Sequence, residues 1–307
     1  MIERIVQKML VKRYMLDMGA GNLARRFKCN REDIYKAKEI IRGSKVPIKA
    51  PKILILDIET APLLAYVYAS QVWKAVIRPE ALESDWYILT WSAKWLGGEI
   101  MSERCTPGEV WDEDDSRIIR KLWKVLDEAD VVIAHNGDFF DIPNINTRFL
   151  MNGLGPTSNY KQIDTLKIAR KQFGFTHNGL DALAKKFGID GKIHTGMELW
   201  KRCMRGSEEA LKEMELYNQH DVEILEEVYL KLRPWIRNHP NFAMYNETME
   251  LQCPNCGSTN VEPDGNFYYT HTGKYPTHRC KDCGNTPRER KSVAIKGRPL
   301  LVSIPGR

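Results

Sequence analysis

An apolar run that ends in acids, Ile53-Leu-Ile-Leu-Asp57-Ile-Glu59-Thr60, constrains this chain more than any other segment. Four consecutive branched aliphatics read as a strand buried on both faces, which needs a layer above it and another below. A strand projects residues i and i+2 from one face, so the Asp57 and Glu59 carboxylates point together. Like charges at the end of a buried strand repel each other unless a cation, a proton or solvent compensates them. Hard oxygen ligands suit Mg²⁺ or Mn²⁺. The competing reading is a strand terminus that simply ends in solvated acids.

Two more acid groups weigh against that plainer reading. A second buried run, Val131-Val-Ile-Ala134, delivers the chain into His135-Asn136-Gly137-Asp138-Phe139-Phe140-Asp141. The third group lies in a long helical segment, Glu208 to Leu232, where Tyr217 and Asp221 stand four residues apart and share a face. Between these lie β-rich runs from Trp86 to Trp95 and beyond Gly97-Gly98, expected to pair antiparallel, and a helix over Leu180 to Phe187. Gly191 to Gly206 shows little pattern and reads as a Lys/Arg-containing excursion. Early strands interleaved with helices predict an α/β domain over residues 51–235. Asp112 to Asp115 reads as a solvated helix start, and Asp164 as a structural or helix-capping acid. Asn178 either approaches a bound strand or caps the next helix. Trp73, Trp86, Trp91 and Trp95 fit core and hairpin packing, with base stacking as the alternative.

Taken in order, Asp57-x-Glu59, Asn136-x-x-x-Phe140-Asp141 and Tyr217-x-x-x-Asp221 resemble the three exonuclease motifs of the DEDD superfamily. The Tyr of the last motif resembles the DEDDy subtype, similar to proofreading domains of DNA polymerases. The resemblance covers roughly residues 51–232 and implies a ribonuclease H-like mixed sheet with flanking helices. It implies 3′→5′ hydrolysis of nucleic acid with two Mg²⁺ or Mn²⁺ ions. Asp57 would bridge them, Glu59 and Asp221 would complete one site, and Asp141 would hold the other partly through water. Tyr217 would orient the attacking water, since a phenol with an ordinary pKa of about 10 is a poor base. Thr60 and Leu63, with Asn136 and Phe140, would bind the terminal nucleotide. The sister subtype's His position is Leu216 here, and His220 reads as a surface or packing residue; Asp138 reads as a solvated loop acid.

Both ends of the chain have a different character. Residues 1–50 carry a net charge of +8, residues 251–307 a net +5, and the middle a net −7, which the overall +6 conceals. Near the start, apolar residues Ile2, Ile5, Val6, Met9 and Leu10 recur at helical spacing, with a break at Gly19-Ala20-Gly21. Leu23, Ala24 and Phe27 mark a second helix; Asn30 and Asp33 cap a third, whose Ile34, Ala37, Ile40 and Ile41 share a face ending at Gly43. This module, residues 1–45, resembles a helix-turn-helix that would present Arg31, Tyr35, Lys36 and Lys38 to DNA. A three-helix appendage with a solvated charged face is the other reading.

At the far end, within residues 250–307, stand Cys253-Pro-Asn-Cys256-Gly and Cys280-Lys-Asp-Cys283-Gly. Paired C-x-x-C knuckles read as a structural Zn²⁺ held by four thiolates, a zinc ribbon with a hairpin near Gly265 or Gly273. His271 and His278 are left without a ligand vacancy. Lys274, Arg279, Lys281, Arg288, Arg290 and Lys291 make the ribbon a candidate nucleic-acid clamp, with protein binding as the rival.

The chain lacks both a span of about 18 apolar residues and an apolar signal at its start, so the expectation is a cytoplasmic protein without membrane contact. The expected activity is a 3′→5′ exonuclease on single-stranded or frayed DNA, in proofreading or DNA processing within a phage-like replication setting. DNA is favoured over RNA, and a DNA polymerase or other replication protein is the expected partner. The competing functions are a 3′ RNA exonuclease, a structure-selective endonuclease, and a DNA-binding regulator on an inactive nuclease scaffold.

Overall fold

The computed structural model describes residues 20–43, 51–68, 77–189, 195–245, 250–295, 297 and 301. The chain divides into two compact units, one of residues 1–49 with 245–249, the other of 50–244 with 250–307.

In the first unit, helix α1 (Ala20–Phe27) packs on α2 (Arg31–Gly43) through buried Leu23, Ala24, Ile34 and Ala37. The turn between them places Lys28 at φ 53 and returns the Cys29 amide to the Ala24 carbonyl. The Asn30 side chain accepts from the Asp33 amide at 2.8 Å, the cap expected of it. Ala20 and Gly21 open α1 rather than break the chain. The helix expected over Ile2 to Leu10, the side chains of Ile40 and Ile41, and Trp73 all lie outside the described residues.

The second unit is built on a five-stranded mixed sheet in the order β5-β4-β1-β6-β7. Its strands are β1 (Ile53–Thr60), β4 (Ile88–Trp95), β5 (Ile100–Arg104), β6 (Val131–Ala134) and β7 (Lys161–Asp164). A small pair, β2 (Leu64–Ala65) and β3 (Leu82–Ser84), follows the end of β1. As expected, β4 and β5 are antiparallel, while β1, β6 and β7 run parallel. Parallel neighbours need crossovers: α3 (Pro107–Trp111) and α4 (Ser116–Asp127) lie in the connection to β6, and α5 (Asp141–Met151) in that from β6 to β7, while α6 (Thr165–Gln172), α7 (Leu180–Phe187), α8 (Met197–Met204) and α9 (Glu208–Leu232) follow β7. The result is the α/β arrangement expected of a ribonuclease H-like domain.

Strand parity decides what each sheet face meets. Trp91 donates its indole N–H to the Ile118 carbonyl of α4, whereas Lys94, three residues on, pairs with Glu226 of α9. Residues of odd separation face opposite ways, so α4 and α9 cover opposite faces of β4. In the β1–β4 register Asp57 lies opposite Ser92, and Glu59 opposite Thr90. Both acids therefore share the Lys94 face and look toward α9. Leu56 and Ile58 point the other way, into the core with Ile118, Leu122, Ile142 and Ile145. A register shift between Glu59 and Thr60 breaks the ladder just past the second acid.

Three local expectations are corrected. The excursion over Gly191 to Gly206 contains α8, where Leu199 and Cys203 are buried four residues apart; two inward positions in one short helix are too few to reveal a period. Asp115 is not a solvated helix start but is only 1% exposed. It accepts from Arg148 Nε at 2.6 Å and Nη2 at 2.7 Å, and from the Ile88 amide at 3.0 Å. These partners are distant in sequence, so no local pattern marks it. Asn178 does not cap α7, since Gly179 holds that position and the Asn178 amide donates to the Phe175 carbonyl.

The last elements are β8 (Val261–Tyr269) and β9 (Lys274–Cys280), a two-stranded hairpin turning through Thr270 to Gly273. Gly265, at φ 77, sits instead where the register shifts within β8. Among the described residues no helix is long and apolar enough to cross a membrane.

Candidate active site and cysteine cluster

Helix α9 lies against β1, β4 and β5 and brings a third acid to the strand end. Tyr217 and Asp221 are both buried on its inner face. One oxygen from each of Asp57, Glu59 and Asp221 lies within 4.8 Å of the others. An octahedral hard cation at about 2.1 Å holds oxygens about 3.0–4.2 Å apart, the range this set approaches. Three carboxylates this near, one of them buried, call for positive charge between them, and the donor set fits Mg²⁺ or Mn²⁺.

Asp141 arrives from the other side of the sheet order, as the first residue of α5. Its Oδ1 accepts from the Ile58 amide at 3.3 Å, the residue between Asp57 and Glu59. Only 1% of it is exposed, and burial pushes its carboxyl up to about 7; backbone donors oppose that rise and Asp164 adds to it.

The loop that delivers Asp141 is pinned by Asp164. The Asp164 carboxylate accepts from the Asn136 and Asp138 amides, while also capping α6 through Leu166 and Lys167. Asn136 adopts φ 71, and the Phe139 and Phe140 amides both return to its carbonyl. A Cβ on Gly137 would sit 2.4 Å from the Ala134 Cβ, so only glycine allows this turn. Asp164 is thus a structural and capping acid, as expected. Asp138 is not merely solvated, because it forms an ion pair with Lys167, whose ammonium also lies 4.6 Å from the Phe139 ring centroid. Phe140 and Leu63 are partly exposed, 39% and 46%, and so are open to a ligand. His220 pairs with Glu223 at 3.5 Å on the outer side of α9.

Two residues missed by sequence reasoning support this site. Asn218, fully buried, donates from Nδ2 to Asp57 Oδ2 at 2.6 Å. Its place three residues before Asp221, on the same helical face, was the available signal. Trp200 of α8 donates its indole N–H to the Thr60 carbonyl at 3.2 Å and meets the Tyr217 ring edge-on, centroids 6.3 Å apart. Nothing in the sequence around Trp200 announces this.

The four cysteines also converge. Their sulfurs lie within 4.8 Å of one another, with Cys253–Cys283 at 3.5 Å and Cys256–Cys280 at 3.6 Å. A tetrahedral Zn²⁺ with Zn–S of about 2.3 Å sets sulfurs about 3.8 Å apart, so the cluster fits that ion closely. Gly257 and Gly284, at φ 76 and 80, return their amides to Cys253 and Cys280 and make the two knuckles. His278 bonds to Glu289 instead and takes no part in the cluster. The first knuckle is seated on the end of α9: Asn255 Nδ2 donates to the Arg233 carbonyl at 2.8 Å, and the Phe242 amide to the Pro254 carbonyl at 2.7 Å. His239 bonds to the Tyr229 hydroxyl at 2.9 Å beneath this junction, and burial holds its imidazole down at about 4, hence neutral.

Comparison with known proteins matches residues 108–233 to the RNase H superfamily. The chain is 39% identical over 77 residues to the DNA polymerase III PolC-type of Ureaplasma parvum serovar 3, a match covering 25% of this chain and 5% of that protein. The chain thus spans a small fraction of that relative. Among solved structures, the family B DNA polymerase from the hyperthermophilic archaeon Pyrobaculum calidifontis aligns with a TM-score of 0.43 and 16% identity, over 61% of this chain and 26% of that one.

Proposed function

We propose that the chain, whose residues 108–233 match the RNase H superfamily and which brings three acids together, is a metal-dependent 3′→5′ exonuclease that hydrolyses DNA at single-stranded or frayed ends. The observation that carries the reading is the convergence of Asp57, Glu59 and Asp221 from a strand end and a helix face. Asp141 is bonded to the same strand between the first two. The similarity to a protein described as a DNA polymerase favours DNA over RNA, and supports a role in replication or DNA processing beside a polymerase.

Asp57, Glu59 and Asp221 would hold one divalent ion, and Asp57 with Asp141 a second. Such ions, when bound, neutralise the phosphate and make an attacking water more acidic. The chain's own groups do the rest. Asn218 holds the Asp57 carboxylate in orientation through its 2.6 Å hydrogen bond. Tyr217, steadied by Trp200, orients the water with its hydroxyl. Leu63 and Phe140 flank the terminal base, while Thr60, through its backbone, and Asn136 contact the terminal nucleotide. Water oxygen bonds to phosphorus, the bond to the 3′ oxygen breaks, and the proton passes to that leaving oxygen, releasing a nucleoside 5′-monophosphate. In domain terms the reading is a helix-turn-helix-like module at residues 1–45, the nuclease at 51–235 and a zinc ribbon from 250 onward.

The test is a panel of 3′-labelled linear, 3′-blocked and circular DNA and RNA strands with Mg²⁺, Mn²⁺ or chelator. Stepwise loss of the 3′ label from linear DNA, absent with chelator and in Asp57→Ala, is expected. Cleavage of circular strands would make the enzyme an endonuclease, and hydrolysis of RNA alone would overturn the substrate assignment.

A further inference from the structure

The β8–β9 hairpin displays more aromatic surface than a structural hairpin needs. Phe267, Tyr268 and Tyr269 are consecutive, and are 40%, 50% and 64% exposed. Pairing of Phe267 with Pro276 and of Tyr269 with Lys274 puts Phe267, Tyr269 and Lys274 on one face. Pairing of Tyr268 with Tyr275 puts those two rings on the other. Each face carries its own cation. Lys274 Nζ lies 3.8 Å from the Phe267 centroid and 5.9 Å from that of Tyr269; the Arg288 guanidinium lies 5.3 Å from Tyr268 and 4.3 Å from Tyr275. Single exposed rings are ordinary, but clustered rings interleaved with cations are not.

The acids of this segment are occupied elsewhere. Glu262 pairs with Lys281, Asp282 accepts from Ser258 and Asn260, Asp264 accepts from Thr277 and the Asn266 amide, and Glu289 bonds to His278. Lys274 and Arg288 lie over rings instead, with residues 251–307 at net +5. Rings that offer π-faces beside cations suit a ligand made of flat bases joined by phosphates. We propose that this hairpin is a stacking platform for an unpaired nucleic-acid strand, distinct from the acid cluster. The strand is identified as the ligand by the nuclease reading, on which the inference rests. Because the adjoining knuckle is seated on the C-terminal end of α9, a strand held there is tethered to the helix that carries Tyr217 and Asp221.

The experiment uses the zinc-loaded 307-residue chain carrying Asp57→Asn, so that the probe is not consumed. Fluorescence anisotropy measures affinity for 20-nucleotide oligo-dT, oligo-rU and a blunt 20-base-pair duplex at several salt concentrations. Phe267→Ala, Tyr268→Ala and Tyr269→Ala are each expected to weaken single-strand binding at least about fivefold. Tyr269→Trp should retain it, and duplex affinity should hardly move. Lys274→Gln and Arg288→Gln should each reduce the slope of log affinity against log salt by about 0.7. The DNA and RNA arms separate the two kinds of strand. Zinc content of one per chain in each variant excludes an unfolded ribbon. In the chain with Asp57 intact, Tyr268→Ala should raise KM for the 20-mer while leaving kcat and trinucleotide hydrolysis unchanged. Unaltered single-strand affinity in zinc-replete ring variants overturns the platform. Hairpin-dependent binding without hydrolysis of any strand would sink the nuclease reading alone.

Discussion

Asp141 provides a quantitative test of the acid cluster, because its protonation and the binding of a cation compete for one buried carboxyl. Burial raises that carboxyl from an ordinary 3.8 to about 7, so in the metal-free protein about half of it carries a proton at pH 7. A divalent ion held by Asp141 must displace that proton. Binding of Mn²⁺ at pH 7 should therefore release about 0.5 proton per chain, falling to about a tenth at pH 8. The same raised value has a stability consequence. Between pH 4 and 7 the folded chain holds more protons at this group than the unfolded chain, so its contribution declines as pH rises through that window. At about 1.4 kcal/mol per tenfold, the ceiling is on the order of 4 kcal/mol, and bound Mn²⁺ should abolish the decline. Calorimetric titration with Mn²⁺ in two buffers of different ionisation enthalpy measures the proton count. Urea unfolding from pH 4 to 8, with and without Mn²⁺, measures the stability term. Asp141→Asn keeps the shape and an acceptor for the Ile58 amide, and should remove both effects. Mn²⁺ binding at pH 7 without proton release, or identical pH profiles for the parent and Asp141→Asn, would refute the reasoning.

Other perturbations probe the supporting structure. Asn218→Leu leaves Asp57 Oδ2 without its 2.6 Å donor and should weaken Mn²⁺ binding about 10- to 100-fold, read by titrating hydrolysis against the metal; excess Mn²⁺ should restore the rate. Trp200→Phe loses one hydrogen bond to the Thr60 carbonyl, and kcat should drop about fivefold with the fold intact by circular dichroism, an effect of about 1 kcal/mol. Asp115→Ala strands the Arg148 guanidinium and the Ile88 amide, so urea unfolding should show a loss of about 3–5 kcal/mol. Cys283→Ser, or a strong chelator, should lower zinc content and open the hairpin to protease while the 51–235 domain resists digestion, as mass spectrometry of the fragments would show.

Much of this molecule could be read locally, because the relevant physics is short-ranged. The alternation of a strand dictates that Asp57 and Glu59 share a face, and the helical repeat that Tyr217 and Asp221 do. The spacing of two C-x-x-C knuckles dictates four sulfurs able to meet, and the chemistry of Asn30 and Asp164 dictates capped helix starts. Other features depend on residues remote in the chain. Asn218 reaches Asp57 across 161 positions and Trp200 reaches Thr60 across 140, so no periodicity links them. Asp115 resembles any acid at a helix start until Arg148 and Ile88 enclose it. The same is true of the raised carboxyl of Asp141, which follows from desolvation by neighbours that only folding assembles. Backbone geometry orients a side chain relative to its nearest neighbours along the chain. Packing alone settles which distant groups exclude water from it, and with that its charge.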